Sequence, residues 1–376
     1  MNFKTLYLRS NSTSARSDRA QTICELKSAT KKFRHLSTRI SHMLRFLQPG
    51  ILTLFLSFAA NRLVEGQHTG SSGRVMTWVP PYGIGDSRTR LDESFDGISM
   101  RDGLTHLGLQ FWNPTKDGGI ELVTRFKDVN ETEISNFREW GHAHGVRVML
   151  CLYNGTSSGW DWELARSAFG THQKDLVEAL VRETLRLKLD GVDIDLEGKG
   201  DLEESKDSFV NFIRDLSSRL HSEGKELSVN TFAHKWHAPR RSWWPELLPH
   251  INGLNVMGYS ETGANSDEWR SYGSFKAAAG IHHSKLLIGM PSNTARWQES
   301  SVIEHLNWVI EDASVGLAIW DARLRNLKWR SKETWLAISE IKGGAEPYGG
   351  DQPANGPESQ PEGNDKLEPK AEVRLH

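Results

Sequence analysis

The stretch Asp190-Gly191-Val192-Asp193-Ile194-Asp195-Leu196-Glu197 sets acidic side chains at alternate positions and ends on a glutamate. Read as a strand, it places Asp193, Asp195 and Glu197 on one side and Val192, Ile194 and Leu196 on the other. Crowded carboxylates repel one another and are costly to desolvate, so the acidic face is no ordinary core surface. Two plainer readings also fit the alternation: an amphipathic strand with one wet face, and a minimal start on an oxygen cage for Ca²⁺. The surrounding sequence decides among them.

The chain has 376 residues, 37% hydrophobic and 25% charged, enough for one large domain or two ordinary ones with a sizeable core. A formal net charge of -2 gives no electrostatic case for nucleic acid, so the expected partner is neutral or small. Fourteen tryptophans is a high count, and indole faces stack well on the C–H surfaces of sugars. The two cysteines, Cys24 and Cys151, imply no disulfide framework. Cys151 lies in an apolar strand pattern, which suits a buried inert thiol.

Residues 1–66 do not read as a domain. The first part, to about Arg45, is basic and poor in acids, and the apolar run from Ile51 to Ala60 is too short to span a bilayer comfortably. Met43 to about Gly66 therefore reads as a signal peptide, implying a secreted or periplasmic protein, with a membrane-anchored form as the alternative. After cleavage no stable membrane partner is expected. Residues 343–376, rich in Gly, Pro and Glu, read as a disordered tail.

Between these ends, residues 74–341 contain no linker-like break. Apolar β-branched or aromatic runs predict strands over Val75–Val79, Leu104–Trp112, Val146–Leu152, Gly191–Leu196, Glu226–Phe232, Ile251–Met257, Lys285–Met290 and Val315–Trp320. Helical spacing predicts helices over Glu131–His144, Gln173–Leu187, Ser205–Ser222 and Val302–Asp312, among others. Phe209, Phe212, Ile213, Leu216 and Leu220 show that spacing clearly. Eight strand-helix repeats within one domain's length predict the α/β class and a single (β/α)₈ TIM barrel. No Gly-rich dinucleotide fingerprint follows the first strand, where Trp78-Val79-Pro80-Pro81-Tyr82-Gly83 stands instead. Barrel chemistry sits at the C-terminal strand ends. Glu197 falls just past the fourth strand, at the mouth, and Asp193 lies deeper.

Here the sequence resembles glycoside hydrolase family 18, the chitinases and endo-β-N-acetylglucosaminidases, whose fourth strand carries Asp-Gly-x-Asp-x-Asp-x-Glu. Asp190 to Glu197 matches every fixed position. Asn255-Val256-Met257-Gly258-Tyr259 is similar to the family's sixth-strand Met-x-Tyr, and Gly316-Leu317-Ala318-Ile319-Trp320 to its eighth-strand segment ending on a pocket-floor tryptophan. There are departures. Leu152-Tyr153-Asn154-Gly155 keeps only the last glycine of the family's third-strand Ser-x-Gly-Gly, and Ser260 follows Tyr259 where Asp or Asn is usual. Only Pro291 to Ser314 separates strands seven and eight, so no chitinase insertion domain is expected and the cleft should be open or shallow.

The resemblance implies substrate-assisted retaining hydrolysis of β-1,4 linkages in N-acetylglucosamine-containing glycans, either chitin or chito-oligosaccharides. Glu197 would protonate the glycosidic oxygen while the substrate's acetamido oxygen attacks the anomeric carbon. Asp195 would accept from the acetamido N–H, Asp193 would share a proton with Asp195, and Tyr259 would donate to the attacking oxygen. Trp320 would floor the pocket, with Met257 and Asn154 as further substrate-binding candidates. Trp78, Trp112, Trp160, Trp236 and Trp297 stand on or just after strand ends and are candidate sugar platforms; the same positions suit core packing.

No cofactor or metal is called for. His142 and His144 lie at a helix end, and His282 and His283 precede strand seven on the opposite rim from the mouth. The rival readings are an endo-β-N-acetylglucosaminidase on N-glycans or peptidoglycan, and a non-hydrolytic chitin-binding lectin on the same barrel. A lectin of this kind would have a substituted acid, and Glu197 is present. A monomer is expected.

Overall fold

In the computed structural model, the described residues are 73–257, 272–292, 306–307, 309–310 and 314–343. Strand β1 is Val75–Val79, β2 His106–Pro114, β3 Arg147–Tyr153, β4 Gly191–Asp195, β5 Glu226–Phe232, β6 Gly253–Met257, β7 Leu286–Pro291 and β8 Gly316–Trp320. Each pairs in parallel with its neighbours, and β1 pairs with both β2 and β8, so the sheet closes on itself. This is the expected (β/α)₈ barrel. With β7 ending at Pro291 and β8 starting at Gly316, no insertion domain separates them.

The strands read as apolar runs because both of their faces are covered. Outward side chains such as Val192, Ile194, Leu227, Val229, Leu254 and Val256 join one continuous core beneath the helices. Inward ones, Met76, Trp78, Met149, Cys151, Leu287 and Ala318, form a second cluster inside the barrel, with Trp320 packed on it. Helix α1 is Ile84–Asp92, α2 Glu131–Ala143, α3 Gln173–Arg186, α4 Lys206–Ser222, α5 Tyr272–Ala279 and α6 Lys332–Lys342. In α4, the residues at helical spacing, Phe209, Phe212, Ile213, Leu216 and Leu220, are all fully buried. Side-chain caps fix some helix starts: Asn130 accepts from the Glu133 N–H at α2, and Ser331 from the Thr334 N–H at α6.

Strand β2 starts two residues later than predicted. Leu104 instead closes the short helix Met100–Gly103 with an N–H bond to Met100, and Thr105 exchanges hydroxyl bonds with the Val75 backbone. At its other end β2 runs on to Pro114, because Trp112–Pro114 pairs antiparallel with Ile120–Leu122. Of the predicted helix over Val302–Asp312, residues 306–307 and 309–310 are described and helical. The N-terminal segment to Gly66, Cys24, Tyr259, Ser260, Trp297 and the tail beyond Gly343 lie outside the described residues.

Candidate active site

The fourth strand delivers its acids as its period requires. Asp193 and Asp195 point into the barrel and are buried, and Glu197 follows the strand end, half-buried. Gly191 is needed at the strand's start: a Cβ there would lie 2.3 Å from the Glu226 carbonyl oxygen. Asp190, the first acid of the motif, points away from the site. It accepts from the Val148 N–H at 2.7 Å and bonds His142 at 2.9 Å, tying β4 to β3 and α2.

Asp193 is surrounded by donors. Oδ2 accepts from Trp78 Nε1 and Asn230 Nδ2, each at 2.8 Å, and Oδ1 from Ser228 at 2.5 Å and Asn255 at 3.2 Å. Such a set suits a carboxylate, which only accepts. No hydrogen bond joins Asp193 to Asp195, and the charge of Asp193 is one of the causes that raise Asp195. The Cys151 thiol lies nearby; burial first, then the charges of Asp193 and Asp195, push it well up, and it stays an inert thiol.

Asp195 is differently placed. Its Oδ2 accepts from Gln110 Nε2 at 2.7 Å, while its buried Oδ1 has no partner among the described residues. Burial and the negative charge of Asp193 push its carboxyl up to about 7, against the opposing bond from Gln110. Glu197 is raised well above the ordinary glutamate range by desolvation and by the charge of Asp195. The three acids thus differ in surroundings: a carboxyl bonded on both oxygens at depth, a half-bonded one above it, and a glutamate raised by burial at the mouth. A carboxyl raised well above its ordinary range and an acceptor without a partner among the described residues lie in one site, an arrangement able to support general acid chemistry beside a substrate amide.

The other predicted residues divide. Trp320 ends β8 half-exposed, its ring centroid 6.0 Å from that of Trp78, where it can floor a pocket above the inner cluster. Met257 ends β6 and is buried apart from a small exposed area. Trp160 and Trp236 are 45% and 61% exposed on the loops after β3 and β5. Three residues are corrected. Trp78 is 1% exposed and serves as the indole donor to Asp193 rather than as a platform. Trp112, also 1% exposed, packs in the outer core beside Phe111, because the register of β2 shifts between Leu109 and Trp112 and turns it out of the inward series. Asn154 is fully buried and bonds the backbone of Glu197 on both sides, so it faces the acid and not a ligand.

Gln110, Ser228, Asn230 and Asn255 were not singled out from the sequence. A signal for them exists: each is a polar residue at an inward position of an otherwise apolar strand. Of the histidine pairs, His142 serves Asp190, His144 bonds the Trp140 carbonyl, and His283 bonds that of Gly280.

The family model described as Glycosyl hydrolases family 18 matches residues 81–345. Among solved structures, a chitinase from Chromobacterium violaceum ATCC 12472 is 14% identical with a TM-score of 0.55, over 71% of this chain and 98% of that one. The spore cortex-lytic enzyme SleL of Bacillus megaterium QM B1551 is also 14% identical with a TM-score of 0.55, over 73% and 75%. A Group IV chitinase from Ostrinia furnacalis is 13% identical with a TM-score of 0.54, over 72% and 99%. At these identities the likeness is one of fold. Among curated proteins no sequence matches the chain.

Proposed function

The chain belongs to glycosyl hydrolases family 18 and is a glycoside hydrolase, and from that premise we propose that it cleaves β-1,4 linkages in N-acetylglucosamine-containing glycans with the substrate's own acetamido group as nucleophile. The observation that carries this reading is the buried Oδ1 of Asp195, without a partner among the described residues, beneath a Glu197 raised well above the ordinary glutamate range. An amide N–H supplied by the substrate satisfies that oxygen, and a buried acceptor left unmade is costly.

Glu197 gives its proton to the glycosidic oxygen as the acetamido oxygen bonds the anomeric carbon and the C–O bond to the leaving sugar breaks. Asp195 accepts from the acetamido N–H and offsets the positive charge of the resulting oxazolinium ring. The Glu197 carboxylate then takes a proton from water as that water attacks the same carbon and reopens the ring, so the configuration is retained. Tyr259 is assigned by its motif to hold the acetamido oxygen, and Trp320 to floor the sugar at the cut. The apolar run and small residues between Met43 and Gly66 support secretion or a periplasmic location.

The test is product analysis by mass spectrometry and anomer-resolved NMR. The protein is incubated with chito-oligosaccharides, peptidoglycan fragments and a high-mannose glycoprotein. The expected result is cleavage after N-acetylglucosamine with a β-anomer formed first. An α-anomer as first product overturns the mechanism; binding of every substrate without cleavage moves the protein to the lectin reading.

A further inference from the structure

The rim of the barrel on the β1–β2 side carries two adjacent rings flanked by two cations. The Arg323 guanidinium lies 4.7 Å from the centroid of Tyr82, Tyr82 packs 6.1 Å from Phe126, and the Arg125 guanidinium lies 5.0 Å from Phe126. Tyr82 is 52% exposed and offers an open ring. The two cations differ. Arg323 is buried and closed by a two-pronged pair with Asp321, at 2.7 and 3.0 Å. Arg125 is exposed, and its two hydrogen bonds go to neutral oxygens, the Tyr153 hydroxyl at 3.2 Å and the Gly155 carbonyl at 2.9 Å. Among the described residues no carboxylate pairs with it.

These bonds also fix where the free charge stands. Tyr153 is opposite Asp195 in the β3–β4 register, and Asn154, between the two residues that hold Arg125, grips the Glu197 backbone. The guanidinium is therefore anchored to the segment that flanks the acid, against Phe126 and with the partly exposed Tyr82 ring beyond it. One nitrogen is occupied by the protein, and the fork keeps further donors for a planar or tetrahedral anion.

Resting on the glycosidase reading above, we propose that Arg125 receives the carboxylate or sulfate of an acidic sugar neighbouring the N-acetylhexosamine at the cut, with Tyr82 as the stacking face. The site then selects anionic members of the N-acetylated glycans over neutral ones. Two sources share this chemistry: a lactyl ether carboxylate, as on N-acetylmuramic acid, and a uronic acid or sulfate ester in an alternating copolymer.

The test compares kcat/KM of the full chain on three oligosaccharides of matched length: neutral N-acetylglucosamine, alternating N-acetylglucosamine and N-acetylmuramic acid, and alternating N-acetylhexosamine and glucuronate. At least one acidic substrate should exceed the neutral one, and the better arm identifies the source. Arg125→Gln should lower the acidic-to-neutral ratio about tenfold, the scale of one charge-assisted bond. Arg125→Lys should restore part of it, and the preference should shrink as salt rises. If Arg125→Gln lowers both classes by one factor, the arginine only braces its loop and the proposal is overturned. If none of the three is cleaved, it is the glycosidase reading that fails. Calorimetric binding of the same three then decides this one: acid-selective binding lost in Arg125→Gln upholds it, and binding indifferent to charge, or none, overturns it.

Discussion

Asn154 grips Glu197 by its backbone: the Asn154 amide donates to the Glu197 carbonyl at 2.9 Å, and its carbonyl accepts the Glu197 N–H at 2.8 Å. Glu197 stands past the end of β4, between the barrel ladder and the short antiparallel pairing of Gly198 with Ala238. A fully buried side chain from the end of β3 holds the chain there. The acid is thus fixed through its main chain while its carboxyl stays available.

Asn154→Ala should therefore lower kcat about 10- to 100-fold, the scale of a misplaced catalytic group, while changing KM far less. Two lost buried bonds should also cost about 1–3 kcal/mol of stability. Steady-state kinetics and urea unfolding read the two effects. Wild-type kcat in a folded Asn154→Ala protein would show that the acid needs no such grip.

The fold was legible because barrel strands, covered on both faces, read as mainly apolar runs, and because β4 alone sets two acids in succession on its inner face. Asp193, Asp195 and Glu197 were legible for the same reason. Side-chain roles that depend on distant partners were not. Asn154 acts on a residue 43 positions away, and nothing local marks it. Trp78 and Trp112 have similar neighbourhoods in sequence, yet one reaches Asp193 and the other faces the outer core, because a register shift in β2 reverses which side of the strand Trp112 occupies.

Removing the acid should be severe. Glu197→Gln is expected to lose at least about 100-fold in kcat, the usual contribution of a positioned general acid, while retaining glycan binding. Activity within about tenfold of wild type would sink the assignment of Glu197.

Activity should follow a bell-shaped pH profile, since Asp195 works as an anion and Glu197 as an acid, and the coupled pair titrates together. Asp195 sets an acid limb near pH 7, and Glu197, raised well above the ordinary glutamate range, sets the alkaline limb. The charge of Asp195 raises Glu197, so Asp195→Asn should move the residual activity's alkaline limb to lower pH while reducing kcat about 100-fold or more. An alkaline limb unmoved in that variant would show that the two carboxyls do not interact.

At the other end of the barrel, Glu226 accepts from Arg74 at 2.6 Å, bonds His106 at 3.1 Å and pairs with Arg147 at 3.0 Å. Burial, then the charge of Arg74, lowers His106 to about 4. The unfolded chain binds this proton below about pH 6.5, whereas the folded one resists it, so stability is complete above that pH and falls between about 6.5 and 4. The loss should reach about 3 kcal/mol by the lower limit. Burial opposes the charge of Glu226, but Arg74, His106 and Arg147 outweigh it and hold the carboxyl well below its usual range, so its loss adds in the same direction at still lower pH. Urea unfolding across this range should show the slope in wild type and a shallower one in His106→Gln; equal slopes would remove His106 from the account.

Gly108 leaves room for the indole that serves Asp193. A Cβ at that position would lie 2.5 Å from Trp78 Cδ1 and 2.8 Å from Nε1, and the same Nε1 is 2.8 Å from Asp193 Oδ2. Gly108→Ala must push the ring aside, costing about 1–3 kcal/mol of stability as overpacking does. Asp193 then loses a donor, and kcat should fall about tenfold through disturbance of the three acids. Trp78→Phe removes the same N–H without the added methyl and should lower kcat similarly. If both act through the one hydrogen bond, the double variant should be no slower than Gly108→Ala alone, since residues in one network are not additive. Multiplicative losses in kcat would mean that the glycine and the tryptophan affect the site by separate routes.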